Sequence, residues 1–261
     1  MQNKPSLDAI RNLLPAVQEL EWQGEGGFKV VCKALIEGKL EALKVVYIPS
    51  DAERGERYEE NSRRVHREID ALRKCSSKNL VKLGTVEPTE YRIGEWYYII
   101  YSEEFLQGES LSAQIGRGYK PGINELVDLG LSLIDAVSCL WGLEEKLVHR
   151  DIKPDNVMAL NNVERPFVLL DLGIAFAVEG TPLTANPQYV LGTREYYAPE
   201  MLKPGFREMI DFRSDLYAMG LTLYEYASTS SGLNCRVEFS EFDAGVVGCK
   251  APVDPLSLCV S

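Results

Sequence analysis

A short polar segment from His149 to Asn156 constrains this chain more than any other feature of its sequence. It has the sequence HRDIKPDN and brings a carboxylate, a lysine and a carboxamide close together along the backbone. A short distance further on, the apolar run 168–170 predicts a buried strand that ends at Asp171. The polar residues of both segments are candidates for chemistry.

The rest of the pattern predicts strands first and helices later. Segments rich in β-branched and aromatic residues predict strands at 28–35, 42–48 and 96–101. Between Arg57 and Cys75, apolar residues recur at helical spacing and predict one helix among these strands. A long amphipathic helix is predicted to end near Trp141. A second helix, from Leu216 to Tyr226, is apolar nearly all round, so we expect it to be buried.

Composition excludes several classes of partner and location. The chain has 261 residues, a formal net charge of -11 and 45% hydrophobic residues. An acidic surface repels nucleic acid and anionic membranes, so we expect neither as a partner. Six scattered cysteines and two histidines do not form a zinc pattern. No signal peptide and no run of about 20 apolar residues is present, which favours a cytoplasmic protein. The oligomeric state cannot be inferred.

Two further features bear on chemistry. The glycines Gly24, Gly26 and Gly27 lie between strand-like segments, where they could hold phosphate against backbone N–H groups or form an ordinary hairpin turn. Glu68 lies close to the apolar face of its predicted helix, where a carboxylate is costly unless a cation meets it. Lys44 is the candidate partner. The alternative is that Glu68 is an ordinary surface residue.

Together these segments resemble the protein kinase superfamily. HRDIKPDN is similar to the kinase catalytic loop, and Asp171-Leu172-Gly173 to the metal-binding motif that follows it. Further matches, in family order, are Gly192-Thr193, the YAPE run 197–200 and the DLYAMG run 215–220. Three positions depart from the family pattern: Lys29 stands at the third glycine, Leu172 replaces phenylalanine and Tyr217 replaces tryptophan.

The resemblance implies an α+β, two-lobed kinase fold. The small N-terminal lobe, 1–104, would be an antiparallel sheet with one helix, and the larger lobe, 105–228, would be mainly helical. An irregular tail of uncertain structure, 229–261, would follow. The larger lobe is apparently shortened, because the family has several more helices beyond this point. We therefore expect apolar faces of the Leu216 helix to be exposed, or covered by the tail or another chain. Glu200 would lack its usual arginine partner unless Arg236 folds back to it.

The resemblance also implies roles for individual residues. Asp151 would orient the attacking hydroxyl and accept its proton, and Lys153 would stabilise charge on the transferring group. Lys44 would contact the phosphates of ATP and be held by Glu68. Asn156 and Asp171 would bind Mg²⁺.

The nucleotide pocket can be outlined in the same way. Counting back from the Gly108 turn, the carbonyl of Glu103 and the N–H of Phe105 would bond the adenine edge, with Ser102 at the back of the pocket. The remaining predicted contacts are the three glycines for phosphate and an apolar sandwich of Val31, Ala42 and Met158 for the ring.

Three functions are compatible with the motifs. The leading one is a Ser/Thr protein kinase acting on protein substrates with ATP and Mg²⁺, since Lys153 and Thr193 resemble that branch. The others are a silent pseudokinase that binds partners or nucleotide, and a small-molecule kinase of the same fold. In the first, phosphorylation of Thr181, Thr184 or Tyr189 could order the activation segment through Arg150. The alternative is an unmodified, solvent-exposed loop.

Overall fold

The chain folds as a sheet with one long helix, followed by a mainly helical part. The computed structural model describes residues 5–26, 29–49, 55–93, 96–172, 176–177, 193–202 and 209–228. The α-helices are α1 (Leu7–Leu13), α2 (Gly55–Lys74), α3 (Leu111–Gly116), α4 (Ile123–Trp141) and α5 (Phe212–Ser228). The strands are β1 (Val17–Gly26), β2 (Lys29–Ile36), β3 (Lys39–Pro49), β4 (Thr89–Ile93), β5 (Trp96–Glu104), β6 (Gly108–Ser110), β7 (Leu147–Val148), β8 (Val157–Leu160), β9 (Phe167–Leu169) and β10 (Phe176–Ala177). All three predicted strands and all three predicted helices are present.

Five strands form an antiparallel sheet in the order β1-β2-β3-β5-β4. β2 alternates half-buried and buried side chains, as expected for a strand with one face on a core. In the β3–β5 ladder Lys44 lies opposite Tyr101, and Ala42 lies opposite Glu103. Directly opposed residues point to the same face of a sheet, so these four side chains share one face.

The α2 helix packs on the sheet through its apolar stripe. Val65, Ile69 and Leu72 are buried, as their spacing predicts. Glu68 is on the same side and only 2% exposed. The helix therefore presents a carboxylate, and not only apolar groups, toward the sheet.

The second part is built around α4 and α5. α4 contributes a buried stripe to the largest apolar cluster, consisting of Leu129, Leu133, Ala136, Val137 and Leu140. A small sheet in the order β6-β8-β9 and the β10–β7 pair lie beside it. The strand end at β9 and the segment after β7 are thereby brought together.

The α5 helix differs from the sequence prediction that it is buried all round. One side is buried, with Asp215 and Tyr226 both at 0% exposure. The other side carries Phe212 and Leu216, which are 37% and 42% exposed. Apolar composition alone did not reveal this, because it does not show which faces of a helix other segments cover. Leu216 is exposed, whereas residues 229–261, which could cover it, lie outside the described part of the chain.

Among the helices that the structure describes, none combines the length and the apolar character needed to span a bilayer.

Candidate active site

A buried aspartate of α5 holds the polar loop in place. Asp215 Oδ2 accepts the N–H of His149 and Asp215 Oδ1 accepts the N–H of Arg150, both at 2.8 Å. Burial raises the pKa of Asp215, although His149 and the two backbone donors oppose that rise. Arg150 has φ of 69°, in the left-handed region that side chains other than glycine seldom adopt. Such a conformation persists where surrounding contacts fix it, as Asp215 does here.

The loop is also tied to the strand that leads to Asp171. His149 Nε2 lies 2.9 Å from the carbonyl oxygen of Leu170. Leu172 is 1% exposed and belongs to the main apolar cluster. The two polar segments singled out in the sequence therefore meet at one site.

Asp151 lies at the centre of a network of three side chains. Asn156 Nδ2 donates to the carbonyl oxygen of Asp151 at 2.8 Å and to its Oδ2 at 2.9 Å. Lys153 Nζ lies 3.2 Å from the same Oδ2. The hydroxyl of Thr193 donates to Asp151 Oδ1 at 2.9 Å and accepts from Lys153 Nζ at 2.5 Å. The carboxylate, the ammonium and a hydroxyl thus form a closed ring.

Asp171 occupies a second unusual backbone position, with φ of 63°. Both of its carboxylate oxygens lie 2.5 Å from Lys29 Nζ, and Oδ1 lies 3.9 Å from Lys44 Nζ. Burial alone would raise the pKa of Asp171, but the two ammonium groups outweigh burial and lower it below its ordinary value. Asp171 is therefore an ionised carboxylate that attracts cations.

The donor set near Asp171 fits a magnesium ion. Asn156 uses its Nδ2 on Asp151, so its carboxamide oxygen is directed away from that residue. Carboxylate and amide oxygens are the hard ligands that magnesium prefers. Asp171 and Asn156 would hold the ion, as the sequence predicts. Their role as metal ligands stays a prediction.

Lys44 is surrounded by acidic groups. Its Nζ lies 2.5 Å from Glu103 Oε1 and 3.2 Å from Glu68 Oε1, and all three residues are buried. Burial lowers the pKa of Lys44, but Glu103 and then Glu68 oppose it, and the pKa lies above its ordinary value. Lys44 is thus a charged lysine held by two carboxylates.

The side chain that faces Lys44 is that of Glu103, one position away from the predicted Ser102. Ser102 does not line the pocket: its Oγ donates to Glu41 Oε2 at 2.5 Å and accepts from the N–H of Val86 at 2.9 Å. Side chains alternate along β5, so Glu103 faces Lys44 and stands where Ser102 was expected.

The backbone of β5 follows the same alternation. The N–H and C=O of Ser102 bond Val86 and Gly84, and the N–H of Glu104 bonds Lys82. Glu103 therefore directs its own backbone groups toward Ala42 of β3. Its carbonyl faces β3 within the sheet, and its predicted contact with adenine stays a prediction. Its carboxylate lines the site.

The other predicted nucleotide residues lie around this pocket. Val31 lies opposite Lys44 in the β2–β3 ladder, and Ala42 lies opposite Glu103. Phe105 follows the end of β5, and Met158 is in β8. Four of them, Val31, Ala42, Phe105 and Met158, are half-buried. Their contacts with nucleotide remain predictions, and the one-residue shift would move the Phe105 contact to Leu106.

The glycine loop is described only in part. Gly24 and Gly26 lie at the end of β1, and Gly24 has open space where a side chain would lie. Gly27 lies outside the described residues, as do Gly173, Gly192, Thr181, Thr184, Tyr189 and Arg236.

Glu200 has a hydroxyl partner that sequence reasoning missed. Ser214 Oγ donates to Glu200 Oε1 at 2.6 Å. This bond joins the YAPE segment to the first turn of α5. The expectation that Glu200 lacks its usual arginine partner stays a prediction, because Arg236 lies outside the described residues.

Two site residues were not predicted in the roles that the structure gives them. The side chain of Glu103 contacts Lys44, and the side chain of Lys29 contacts Asp171. The sequence shows that Lys29 replaces a loop glycine. It does not show that Asp171, 142 positions away, is the partner of Lys29.

The fold and the site together define a kinase-type phosphotransferase architecture. The family model for the protein kinase domain matches residues 17–238. The chain therefore belongs to the protein kinase family, as its motifs predict.

Several curated relatives of modest identity are named as serine/threonine-protein kinases. A probable serine/threonine-protein kinase of Clostridium perfringens is 28% identical over 79% of this chain and 28% of its own length. The serine/threonine-protein kinase Pkn1 of Myxococcus xanthus is 33% identical over 64% of this chain and 23% of its own length. The chain thus spans about a quarter of the length of these relatives.

A solved kinase domain has the same fold. Its crystal structure aligns with a TM-score of 0.61 and 22% identity, and the match covers 83% of this chain and 65% of the other. The two-lobed α+β kinase fold predicted from the sequence is confirmed.

Proposed function

We propose that this chain transfers the terminal phosphoryl group of ATP to serine or threonine hydroxyls of proteins. The observation that carries the proposal is the ring formed by Asp151, Lys153 and Thr193. Phosphoryl transfer needs positioning and charge neutralisation more than covalent help from the protein. A carboxylate that accepts a hydroxyl, with an ammonium beside it, supplies both.

Each residue of the ring has a task in this reaction. Asp151 accepts a hydrogen bond from a hydroxyl at 2.9 Å, which is the contact a substrate serine or threonine would need. Lys153, beside it, would stabilise negative charge on the transferring group. Lys44 would contact the phosphates nearer the adenine. A magnesium ion, when held by Asp171 and Asn156, would neutralise further phosphate charge.

Several finer assignments remain predictions. The kinase names of the relatives support serine and threonine as acceptors, but the chain spans only part of those proteins. We also propose that the substrates are proteins, that the metal ion is magnesium and that the location is cytoplasmic. We also propose that the adenine contacts lie on the backbone of residues 104–106.

The test is transfer from radiolabelled ATP and magnesium to a mixed protein substrate, followed by phosphoamino-acid analysis. Phosphoserine and phosphothreonine are expected. Asp151→Asn and Asp171→Asn should abolish the signal, the first by loss of the orienting carboxylate and the second by loss of a magnesium ligand. Label on tyrosine alone, or on small metabolites alone, would contradict the proposal. Wild-type turnover by Asp171→Asn would contradict the metal assignment.

A second candidate is a nucleotide-binding module without transfer. It is favoured by the contact between Lys29 and Asp171, because an ammonium group there competes with a metal ion for the same carboxylate. ATP binding without phosphate transfer to protein or to water would support this alternative.

A further inference from the structure

Lys29 and Glu103 are two charged residues in one pocket, and neither belongs to the motifs that the chain shares with the protein kinase family. Lys29 stands where the glycine motif has its third glycine, and its Nζ lies 2.5 Å from both carboxylate oxygens of Asp171. Glu103 stands at the back of the pocket, 2.5 Å from Lys44. The two residues lie on either side of Lys44 and Asp171.

Glu103 changes what Lys44 can do. An ammonium held by Glu68 alone would keep much of its attraction for phosphate. Here a second buried carboxylate is closer to Lys44 than Glu68 is, at 2.5 Å against 3.2 Å. Buried charges interact strongly because water does not screen them. Glu103 therefore weakens the positive field that Lys44 can offer to a phosphate chain.

Lys29 adds a positive charge that compensates for the carboxylate of Glu103. Three carboxylates, Glu68, Glu103 and Asp171, surround two ammonium groups in this cluster. Without Glu103 and Lys29, two carboxylates would face one ammonium, with the same net charge. The extra anion at the back of the pocket is thus matched by an extra cation at its mouth.

The position of Lys29 suits contact with phosphate. It is the first residue of β2, directly after the glycine loop, and its side chain is 27% exposed. Asp171 is a residue that would hold a metal ion beside the phosphates, so the ammonium group of Lys29, already on Asp171, is within a side-chain movement of a phosphate bound there. A lysine has the flexible stem that such a movement requires.

We propose that Lys29 is a second nucleotide-binding lysine, which contacts the phosphates of ATP and compensates for the pairing of Lys44 with Glu103. The inference rests on the proposed function insofar as that function requires an ATP site. In the free protein Lys29 neutralises Asp171, and on nucleotide binding it passes to the phosphates.

The test is a binding cycle on the whole chain at a pH above about 7, where Glu103 is ionised, measured by titration calorimetry with ATP in EDTA and again with magnesium. Lys29→Met should weaken ATP binding in EDTA at least tenfold, and Lys29→Arg should stay within threefold of wild type. Glu103→Gln should bind ATP more tightly, because Lys44 is released from one carboxylate. The double variant Lys29→Met/Glu103→Gln should return to within threefold of wild type. Lys39→Met removes an exposed lysine of the same sheet and should change nothing.

Circular dichroism and thermal melting verify that each variant is folded, and Lys29→Gln replaces Lys29→Met if the latter is not. Wild-type affinity in the folded Lys29 variant would overturn this inference alone, as would a double variant that remains as weak as Lys29→Met. A wild-type protein that binds no ATP in either buffer would overturn the inference and the proposed function together.

Discussion

The carboxylate of Glu103 lies 2.5 Å from the ammonium of Lys44, closer than the carboxylate of Glu68 at 3.2 Å. All three groups are buried, so their charges are poorly screened. Burial raises the pKa of Glu103 to about 7, with Lys44 opposing that rise and Glu68 and Asp171 adding to it. A carboxyl group with this pKa is partly protonated near neutral pH.

The first prediction follows from this pKa. Between about pH 4.5 and 7 the folded protein holds a proton on Glu103 that the unfolded chain releases. The free energy of unfolding should therefore fall as pH rises through this window, by up to about 3 kcal/mol. Glu103→Gln, which mimics the protonated form, should remove that part of the slope. Urea unfolding at a series of pH values measures it.

A neighbouring residue provides the control for the pH experiment. Glu104 is the next residue of β5, and its carboxylate pairs with Arg165 at 2.5 Å, away from Lys44. Glu104→Gln should keep the wild-type dependence on pH over the same window. Equal slopes in wild type and Glu103→Gln would mean that Glu103 is ionised throughout.

The second prediction concerns Asp151. Asp151→Asn should lower kcat for phosphoryl transfer by about 10²–10⁴-fold, because a carboxamide cannot accept the proton of the attacking hydroxyl. Folding should survive, since an amide oxygen can still accept from Thr193. Initial rates measure kcat, and a melting curve on the same sample measures whether the variant is folded. A variant that keeps wild-type kcat would remove Asp151 from its proposed role.

The third prediction separates the structural and chemical tasks of Lys44. Lys44→Ala should lower kcat and also destabilise the fold by about 3 kcal/mol, because Glu68 and Glu103 lose their buried cation. The triple variant Lys44→Met/Glu68→Gln/Glu103→Gln, which neutralises both carboxylates, should regain much of that stability without regaining activity. If Lys44→Ala changes only KM for ATP, the lysine binds ground state and transition state equally.

The general fold and the loop 149–156 could be predicted because the patterns that indicate them lie within short segments of the sequence. HRDIKPDN lies within one segment, and α2 and α4 have clear helical periods. The register of β5 could not be predicted in the same way. Ile99, Ile100 and Tyr101 are all at 0% exposure, so the strand lacks the alternation that would reveal which side chains face the pocket.

Contacts between distant segments were equally hidden. Lys29 and Asp171 are 142 positions apart, and only the folded chain brings them together. The partner of Glu200 was missed for a related reason, since the family pattern directed attention to an arginine and not to Ser214.

The fourth prediction concerns Asp215, which holds the catalytic loop without touching the substrate. The N–H groups of His149 and Arg150 bond different oxygens of Asp215, so in Asp215→Asn one of them faces an NH2 group, which cannot accept. We expect a loss of about 1–3 kcal/mol in stability and a lower kcat, with KM for ATP little changed. Asp211→Asn, which breaks a surface pair with Arg213, should cost less than about 1 kcal/mol. Equal effects of the two variants would contradict the anchoring role.

The fifth prediction tests whether Ser214 anchors the YAPE segment. Ser214 is 2% exposed and donates to Glu200 Oε1 at 2.6 Å, so Ser214→Ala leaves a partly buried carboxylate without that donor. We expect a loss of about 1–3 kcal/mol in unfolding free energy and faster amide hydrogen exchange over residues 193–202. Because Thr193 lies in that segment and bonds Asp151, kcat should fall as well. Ser138→Ala, at an exposed position of α4, is the matched control and should stay within about 0.5 kcal/mol of wild type. Unchanged exchange over 193–202 in the Ser214 variant would mean that the segment is held by other contacts, and that the hydroxyl bond to Glu200 is incidental.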